Sequence, residues 1–142
     1  PLNIAFTRIA KLPLQLIAPT IPCKTNDLLA LNPIPWQDIP MIVPDHGPAR
    51  ARLDQWLKTA GFSPLVVAKV EGHEAMVSMV ALGTGVALVP AIVAQQSPAK
   101  DRVRYLTQGD EFAPFDLGLC ILSKRLHEPL LRAFWQVASE LI

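Results

Sequence analysis

The chain has 142 residues, of which 51% are hydrophobic and 18% are charged. This length is enough to bury one hydrophobic core, and the apolar composition excludes intrinsic disorder. Thirteen basic and twelve acidic residues are interspersed and give a formal net charge of +1, so the chain lacks the basic stripe that follows a phosphate backbone. We therefore do not expect this chain itself to bind nucleic acid.

The two cysteines, Cys23 and Cys120, are far apart in sequence. One widely spaced pair supplies neither a disulfide framework nor a Cys-x-x-Cys metal motif, so we expect reduced thiols. No apolar run approaches the roughly 20 residues of a membrane span, and no secretory signal pattern is present. We expect a cytoplasmic protein without a membrane partner. Because the chain begins at Pro1 without a methionine, we also expect it to be a piece of a longer polypeptide.

The first part of the chain predicts two short strands at residues 3–8 and 12–18. A connection rich in proline follows and excludes a long helix, and residues 32–38 should form a loop or a single turn. Regular structure is therefore expected to resume only near residue 41.

The central part alternates short apolar runs with helical patterns. Predicted strands cover 41–43, 65–70 and 86–89, and predicted helices cover 48–60, 73–82 and 91–96. The first of these helices has an apolar stripe and should stop at Gly61. The stripe consists of Ala49, Leu53, Trp56, Leu57 and Ala60. The alternation predicts an α/β fold whose parallel-centred sheet is flanked by helices.

The last third differs in pattern. Two strands, 103–106 and 115–122, are predicted around a polar loop at 107–111, and a helix is predicted at 128–142. The apolar face of this helix is wide, so we expect it to cover another surface. That face consists of Leu130, Leu131, Phe134, Val137, Ala138 and Leu141.

The turn Gly72-His73-Glu74 is a candidate binding element. Gly72 can adopt backbone angles that are closed to other residues, and the first N–H groups of the following helix favour an anion. The turn also follows the carboxyl end of a strand, the usual ligand edge of an open α/β sheet. The alternative is ordinary capping, with Glu74 stabilised by the helix dipole and His73 on the surface.

The turn Asp45-His46-Gly47-Pro48 has the same arrangement one strand earlier. Gly47 permits close approach of the backbone to a ligand and His46 can donate a hydrogen bond, although a plain strand-to-helix turn is the alternative. The arginines Arg50 and Arg52 could pair with a carboxylate or could lie on a solvated helix face. We select as candidate effector-binding residues His46, Gly47, Arg50, Gly72, His73 and Glu74.

Enzyme motifs are not matched by this sequence. The Gly83-Thr84-Gly85 turn precedes a strand, and Leu88 occupies the position of the third glycine of a dinucleotide-binding loop. A nucleophile elbow and a P-loop are absent, and the spacing of histidines and cysteines gives no zinc pattern. We expect no catalytic residue, no metal and no cofactor. A His73 and Glu74 acid–base pair is the remaining enzymatic alternative.

The run Gly72-His-Glu-Ala-Met-Val-Ser-Met-Val-Ala-Leu-Gly, together with the turn at Asp45, resembles the effector-binding domain of LysR-type transcriptional regulators. Within that family, the run and the segment 124–130 are most similar to activators of isoleucine and valine biosynthesis. The resemblance implies a type 2 periplasmic-binding-protein-like fold, in which two α/β subdomains are joined by two crossing strands and enclose a ligand cleft.

The resemblance also implies a division of the chain. Residues 1–20 would be a remnant of the first subdomain with the outward hinge strand, and 21–106 would be the complete second subdomain. Residues 107–142 would be the return strand and the C-terminal helix of the first subdomain, which is only partial. The DNA-binding helix-turn-helix of the family is missing, so operator DNA would be bound only through that absent N-terminal domain.

The implied partner is a small carboxylate inducer, namely 2-acetolactate or 2-aceto-2-hydroxybutyrate. The resemblance further implies a homodimer or tetramer of the full-length protein. Two alternatives of other classes remain at this point: a solute-binding protein of a transporter, and a small enzyme that acts on 2-keto or 2-hydroxy acids.

Overall fold

The computed structural model describes residues 3–106 and 112–141. The strands are β1 (Ile4–Leu12), β2 (Leu14–Pro19), β3 (Pro40–Pro44), β4 (Leu65–Val70), β5 (Val86–Pro90), β6 (Val103–Tyr105) and β7 (Phe115–Leu122). The helices are α1 (Lys24–Leu29), α2 (Pro48–Ala60), α3 (His73–Ala81), α4 (Ala91–Gln96) and α5 (Pro129–Ser139). The contacts divide the described residues into unit 1 (3–12 and 114–141) and unit 2 (13–106 and 112–113).

Unit 2 contains a five-stranded sheet in the order β4-β3-β5-β2-β6. Its centre is parallel, because β3 pairs in parallel with both β4 and β5, and Met41 lies opposite Val66 on one side and Val86 on the other. The strands β2 and β6 are antiparallel to their neighbours. The predicted α/β fold with a parallel-centred sheet is therefore confirmed.

Both faces of the central strands β3 and β5 are buried, whereas the edge strand β4 is largely exposed. On one face, Ile42 and Ala87 pack in a cluster with Met76 of α3, and all three are at most 2% exposed. Side chains alternate along a strand, so Met41 and Leu88 point to the other face, and they are equally buried. Helix α2 packs against β3 and β5. This two-sided burial explains why β3 and β5 are short, continuous apolar runs without alternation.

Helix α2 has the predicted bounds and ends at Gly61. Of its predicted apolar stripe, Ala60 is exposed because it lies in the last turn, and the other members are buried. The Trp56 ring lies 5.3 Å from Trp36 and 5.4 Å from Phe62, with edge-on geometry in both cases. Aromatic pairs in this arrangement add specific packing energy, so they stabilise the packing of α2 against the connection that carries Trp36.

Unit 1 contains a two-stranded antiparallel sheet of β1 and β7, in which Phe6 lies opposite Cys120. Helix α5 contacts β1. The expectation that its apolar face covers another surface is wrong for most of that face: Leu130 is 87% exposed, Phe134 61% and Val137 62%. Two strands provide too little surface to cover so wide a face, and only Ala138 of α5 is buried.

Several predicted bounds differ from the observed ones. The predicted strand 12–18 is β2, which starts at Leu14 and belongs to the sheet of unit 2. The predicted helix 128–142 ends at Ser139, and the short helix α1, which lies in the proline-rich connection, was not predicted. The predicted loop 107–111 lies outside the described residues. No helix in the described part of the chain is long and apolar enough to cross a bilayer.

The predicted subdomain boundaries, after residues 20 and 106, both lie inside unit 2. The assignment of β2 and β7 as crossing strands of a two-lobed domain stays a prediction. Cys23 lies in unit 2 and Cys120 lies in unit 1, and both are free cysteines.

Candidate functional site

Two strand-to-helix turns lie side by side at the carboxyl edge of the sheet in unit 2. One connects β3 to α2 and the other connects β4 to α3, and the two strands are parallel neighbours. The Nδ1 atom of His46 lies 3.9 Å from a carboxylate oxygen of Asp45 and 4.0 Å from a carboxylate oxygen of Glu71. The two turns predicted from sequence are therefore adjacent, at the edge where open α/β sheets bind ligands.

Both turns contain a glycine in a conformation that L side chains rarely adopt. Gly47 has φ +94° and Gly72 has φ +91°, and each is the N-cap residue of its helix. Glycine carries no side chain, and within the described residues no side-chain cap forms at the start of α2 or α3. The first turn of α3 therefore keeps N–H groups without a side-chain cap, and their role in binding an anion stays a prediction.

His73 is the half-buried first residue of α3. Its Nδ1 atom is buried and has no hydrogen-bond partner among the described residues. Burial lowers the pKa of His73, because loss of hydration disfavours the imidazolium ion. His73 is therefore only partly exposed, and its burial favours the neutral imidazole. Glu74 is exposed in the first turn of α3, where the helix dipole favours its charge.

Arg50 contacts its own unit. Its Nε atom donates to Asp54 at 3.0 Å, and its Nη1 atom donates to the carbonyl oxygen of Pro44 at 3.1 Å. Arg50 also lines a shallow pocket beside α2, and a second pocket lies near Trp56 and Phe112. Neither pocket is lined by the other five predicted site residues. Arg50 thus connects the start of α2 to the end of β3 by a hydrogen bond. Its role in effector binding stays a prediction.

Arg52 also makes an internal contact, since its Nε atom donates to the carbonyl oxygen of Ala113 at 3.1 Å. The hydroxyl of Thr84 donates to the carbonyl oxygen of Met79 at 2.7 Å, so it closes the C-terminal end of α3. The Gly83-Thr84-Gly85 turn therefore ends a helix.

The sequence analysis missed Asp45 and Glu71 as members of the candidate site. One donor atom from each, with one from His46, lie within 4.8 Å of one another, and all three residues are exposed. Such donors can bind a divalent cation, but their proximity alone does not indicate one, because exposed carboxylates are often close together. The signal available in the sequence was the position of Glu71 directly before Gly72, at the end of a predicted strand.

The candidate site combines three chemical groups at one edge. Backbone N–H groups at the start of α3 are donors, the imidazoles of His46 and His73 are donors or acceptors, and the carboxylate of Glu74 is an acceptor. A small ligand that carries both a carboxylate and a hydroxyl or carbonyl group matches this set.

The chain matches a family model described as the LysR substrate binding domain over residues 3–141. It is 45% identical over 140 residues to the HTH-type transcriptional regulator IlvY of Escherichia coli K12, which covers 96% of this chain and 47% of that protein. The chain therefore spans about half the length of this curated relative. The resemblance drawn from the run after Gly72 is confirmed, and the matched relatives are transcriptional regulators.

Two solved structures have the same fold. The cofactor-binding domain of the Cbl transcriptional regulator is 17% identical with a TM-score of 0.76, and the match covers 99% of this chain and 61% of that chain. The effector-binding domain of QuiR in complex with shikimate is 19% identical with a TM-score of 0.70, and the match covers 97% of this chain and 65% of that chain. Both likenesses support the type 2 periplasmic-binding-protein-like fold. The chain belongs to the LysR substrate-binding domain family.

Proposed function

We propose that this chain is the effector-sensing part of a LysR-type transcriptional activator that controls branched-chain amino acid biosynthesis. The observation that carries the proposal is the 45% identity to E. coli IlvY, which extends over 96% of the chain and so includes both turns of the candidate site. The proposed effectors are 2-acetolactate and 2-aceto-2-hydroxybutyrate.

The chemistry of the candidate site supports a ligand of this class. The carboxylate of an acetohydroxy acid suits the N–H groups beside Gly47 and Gly72, where the helix dipole favours negative charge. The ketone accepts a hydrogen bond from an imidazole, and the tertiary hydroxyl can donate to Glu74. QuiR was solved with shikimate, which is also a small carboxylate with hydroxyl groups.

The proposed mechanism is a shift between two conformations of the regulator. The effector would bind one conformation more tightly than the other and so increase its population. This difference in affinity is the coupling free energy that changes how the regulator binds its operator. The DNA contact would be made by an N-terminal helix-turn-helix domain of a dimeric or tetrameric cytoplasmic protein.

A chimeric regulator tests the proposal. Residues 3–141 of this chain would replace the matching segment of E. coli IlvY, and a reporter gene under the IlvY operator would be measured with and without 2-acetolactate. We expect activation that depends on 2-acetolactate, whereas pyruvate and 2-ketoisovalerate should have no effect. A chimera that accumulates normally and binds the operator but ignores acetohydroxy acids would contradict the proposed effector.

Calorimetry and an activity assay separate the alternative classes. Saturable heat with 2-acetolactate, without its consumption, supports a sensor. Turnover of 2-acetolactate by the purified chain would instead support an enzyme on 2-keto or 2-hydroxy acids. If the chain belonged to a solute-binding protein of a transporter, it would bind its ligand, but the chimeric regulator would not activate the reporter gene.

A further inference from the structure

The two ring nitrogens of His73 have different surroundings. The Nδ1 atom is buried without a hydrogen-bond partner in the described part of the chain. The Nε2 atom is not among the buried atoms that lack a partner, and the side chain as a whole is half-buried. The ring therefore has one buried nitrogen, Nδ1, and one nitrogen with solvent-accessible surface, Nε2, at the start of α3. Buried polar atoms without partners are rare in native proteins and call for an explanation.

Of the three protonation states of the ring, two conflict with these surroundings. The imidazolium ion would place a charged N–H in a site without an acceptor. The neutral form protonated on Nδ1 would bury an N–H donor that has no acceptor, and orphaned buried donors are rarer than orphaned acceptors. The neutral form protonated on Nε2 leaves only a lone pair in the buried position.

We propose that His73 is held as the neutral imidazole protonated on Nε2, and that this N–H is the donor that the site presents to an acceptor oxygen of its effector. The second half of the proposal rests on the proposed function, while the first half concerns the free chain alone. Because Nδ1 is buried without an acceptor, its burial keeps the ring proton on Nε2, the accessible nitrogen.

The consequence is a donor whose chemical identity does not change near neutral pH. His73, which carries this N–H group, is the first residue of α3 and comes directly after Gly72. The backbone N–H groups of the first turn of α3 are also donors. A carboxylate or ketone oxygen can accept from such a set, whereas a free imidazole able to exchange tautomers would accept or donate indifferently. His73 is in this sense a residue that determines effector specificity.

The first test is nitrogen-15 NMR of the histidine rings in the intact 142-residue chain at neutral pH. We expect His73 to show a protonated Nε2 and an unprotonated Nδ1. His46 is exposed and serves as the internal control, and His73→Gln identifies the signal by removing it. A protonated Nδ1, or a doubly protonated ring at neutral pH, would overturn the proposal without bearing on the proposed function.

The second test compares His73→Gln with His73→Asn in calorimetric titrations with 2-acetolactate. The longer glutamine amide can place an N–H near the position of Nε2, whereas the asparagine amide reaches only the region of Nδ1. We expect glutamine to retain affinity within a few-fold and asparagine to weaken it by about tenfold or more, the effect of losing a hydrogen bond to a charged group. Equal losses in the two variants, with both folded by circular dichroism, would refute the donor role.

If the proposed function is wrong, the experiments would give a different combination of results. In that case the chimeric regulator with the wild-type sequence would not respond to any acetohydroxy acid, while the NMR spectrum of His73 would still decide the tautomer.

Discussion

Units 1 and 2 place their apolar residues differently. All five residues of β5, in unit 2, are buried, whereas none of the nine residues of β1, in unit 1, is buried. β5 has neighbours on both sides and helices on both faces of its sheet, while among the residues that the structure describes β1 pairs only with β7. An apolar pattern therefore identifies which face of a helix or strand can be buried. It does not show whether another part of the chain packs against that face.

The candidate site lies in unit 2, which is the better packed of the two units. His46 follows the mostly buried strand β3, and Glu71 and His73 follow the more exposed edge strand β4, which pairs with β3. Binding residues on turns are positioned most accurately when a rigid scaffold carries them. The adjacency of the two turns is therefore a property of the sheet of unit 2.

Amide hydrogen exchange should show the largest difference between the units. We expect the amides of β3 and β5 to exchange only on global unfolding, which costs roughly 5–15 kcal/mol in domains of this kind. Those of β1 and β7 should exchange through local opening, because a two-stranded sheet is marginally stable. Equal protection of the amides in the two sheets would contradict the expected difference in stability between the units.

The matched substitutions Leu88→Ala and Leu130→Ala come next in size. Leu88 is fully buried and Leu130 is 87% exposed. We expect Leu88→Ala to reduce the free energy of unfolding by about 2–5 kcal/mol, from lost burial and a residual cavity. Leu130→Ala should change it by less than about 0.5 kcal/mol. Urea titrations of the two variants and the wild type provide the measurement, and a large loss for Leu130→Ala would show that α5 has a covered face in solution.

Self-association should depend on the uncovered face of α5. Phe134 and Val137 are exposed on this helix, and large exposed apolar patches promote association. We expect Phe134→Glu to decrease the concentration-dependent mass seen by sedimentation velocity. Gln136→Glu adds the same charge to another exposed position of α5 and should have little effect. A wild-type chain that remains a monomer at high concentration would contradict this expectation.

The smallest effect is the pH dependence contributed by His73. Its pKa is lowered in the folded chain, so between the folded value and the ordinary value of 6.5 the unfolded chain binds more protons. The stability linked to the neutral ring is fully present above about pH 6.5 and is lost as the pH falls through the folded pKa. Urea unfolding of the wild type and His73→Gln at neutral and mildly acidic pH should show a weaker pH dependence in the variant. Parallel pH profiles would mean that His73 ionises alike in both states.

Much of unit 2 was predictable from local sequence. The helix α2 and the strand β4 have the predicted bounds, because a proline start, a glycine stop and a continuous apolar run are local signals. The two turns of the candidate site were also predicted, since Gly47 and Gly72 stand between a strand and a helix. The cluster of Asp45, His46 and Glu71 was not, because nothing in the sequence states that β3 and β4 are neighbours.

The sequence by itself determined the α/β class, the family, the turns and the apolar face of α5, since each depends on spacing or residue type within one short segment. Only the tertiary structure decided that β2 joins the sheet of unit 2, that the face of α5 stays exposed, and that Nδ1 of His73 is buried without a partner. The physical reason is the same in the three cases. Pairing and burial depend on which distant segments come together, and local periodicity carries no information about them.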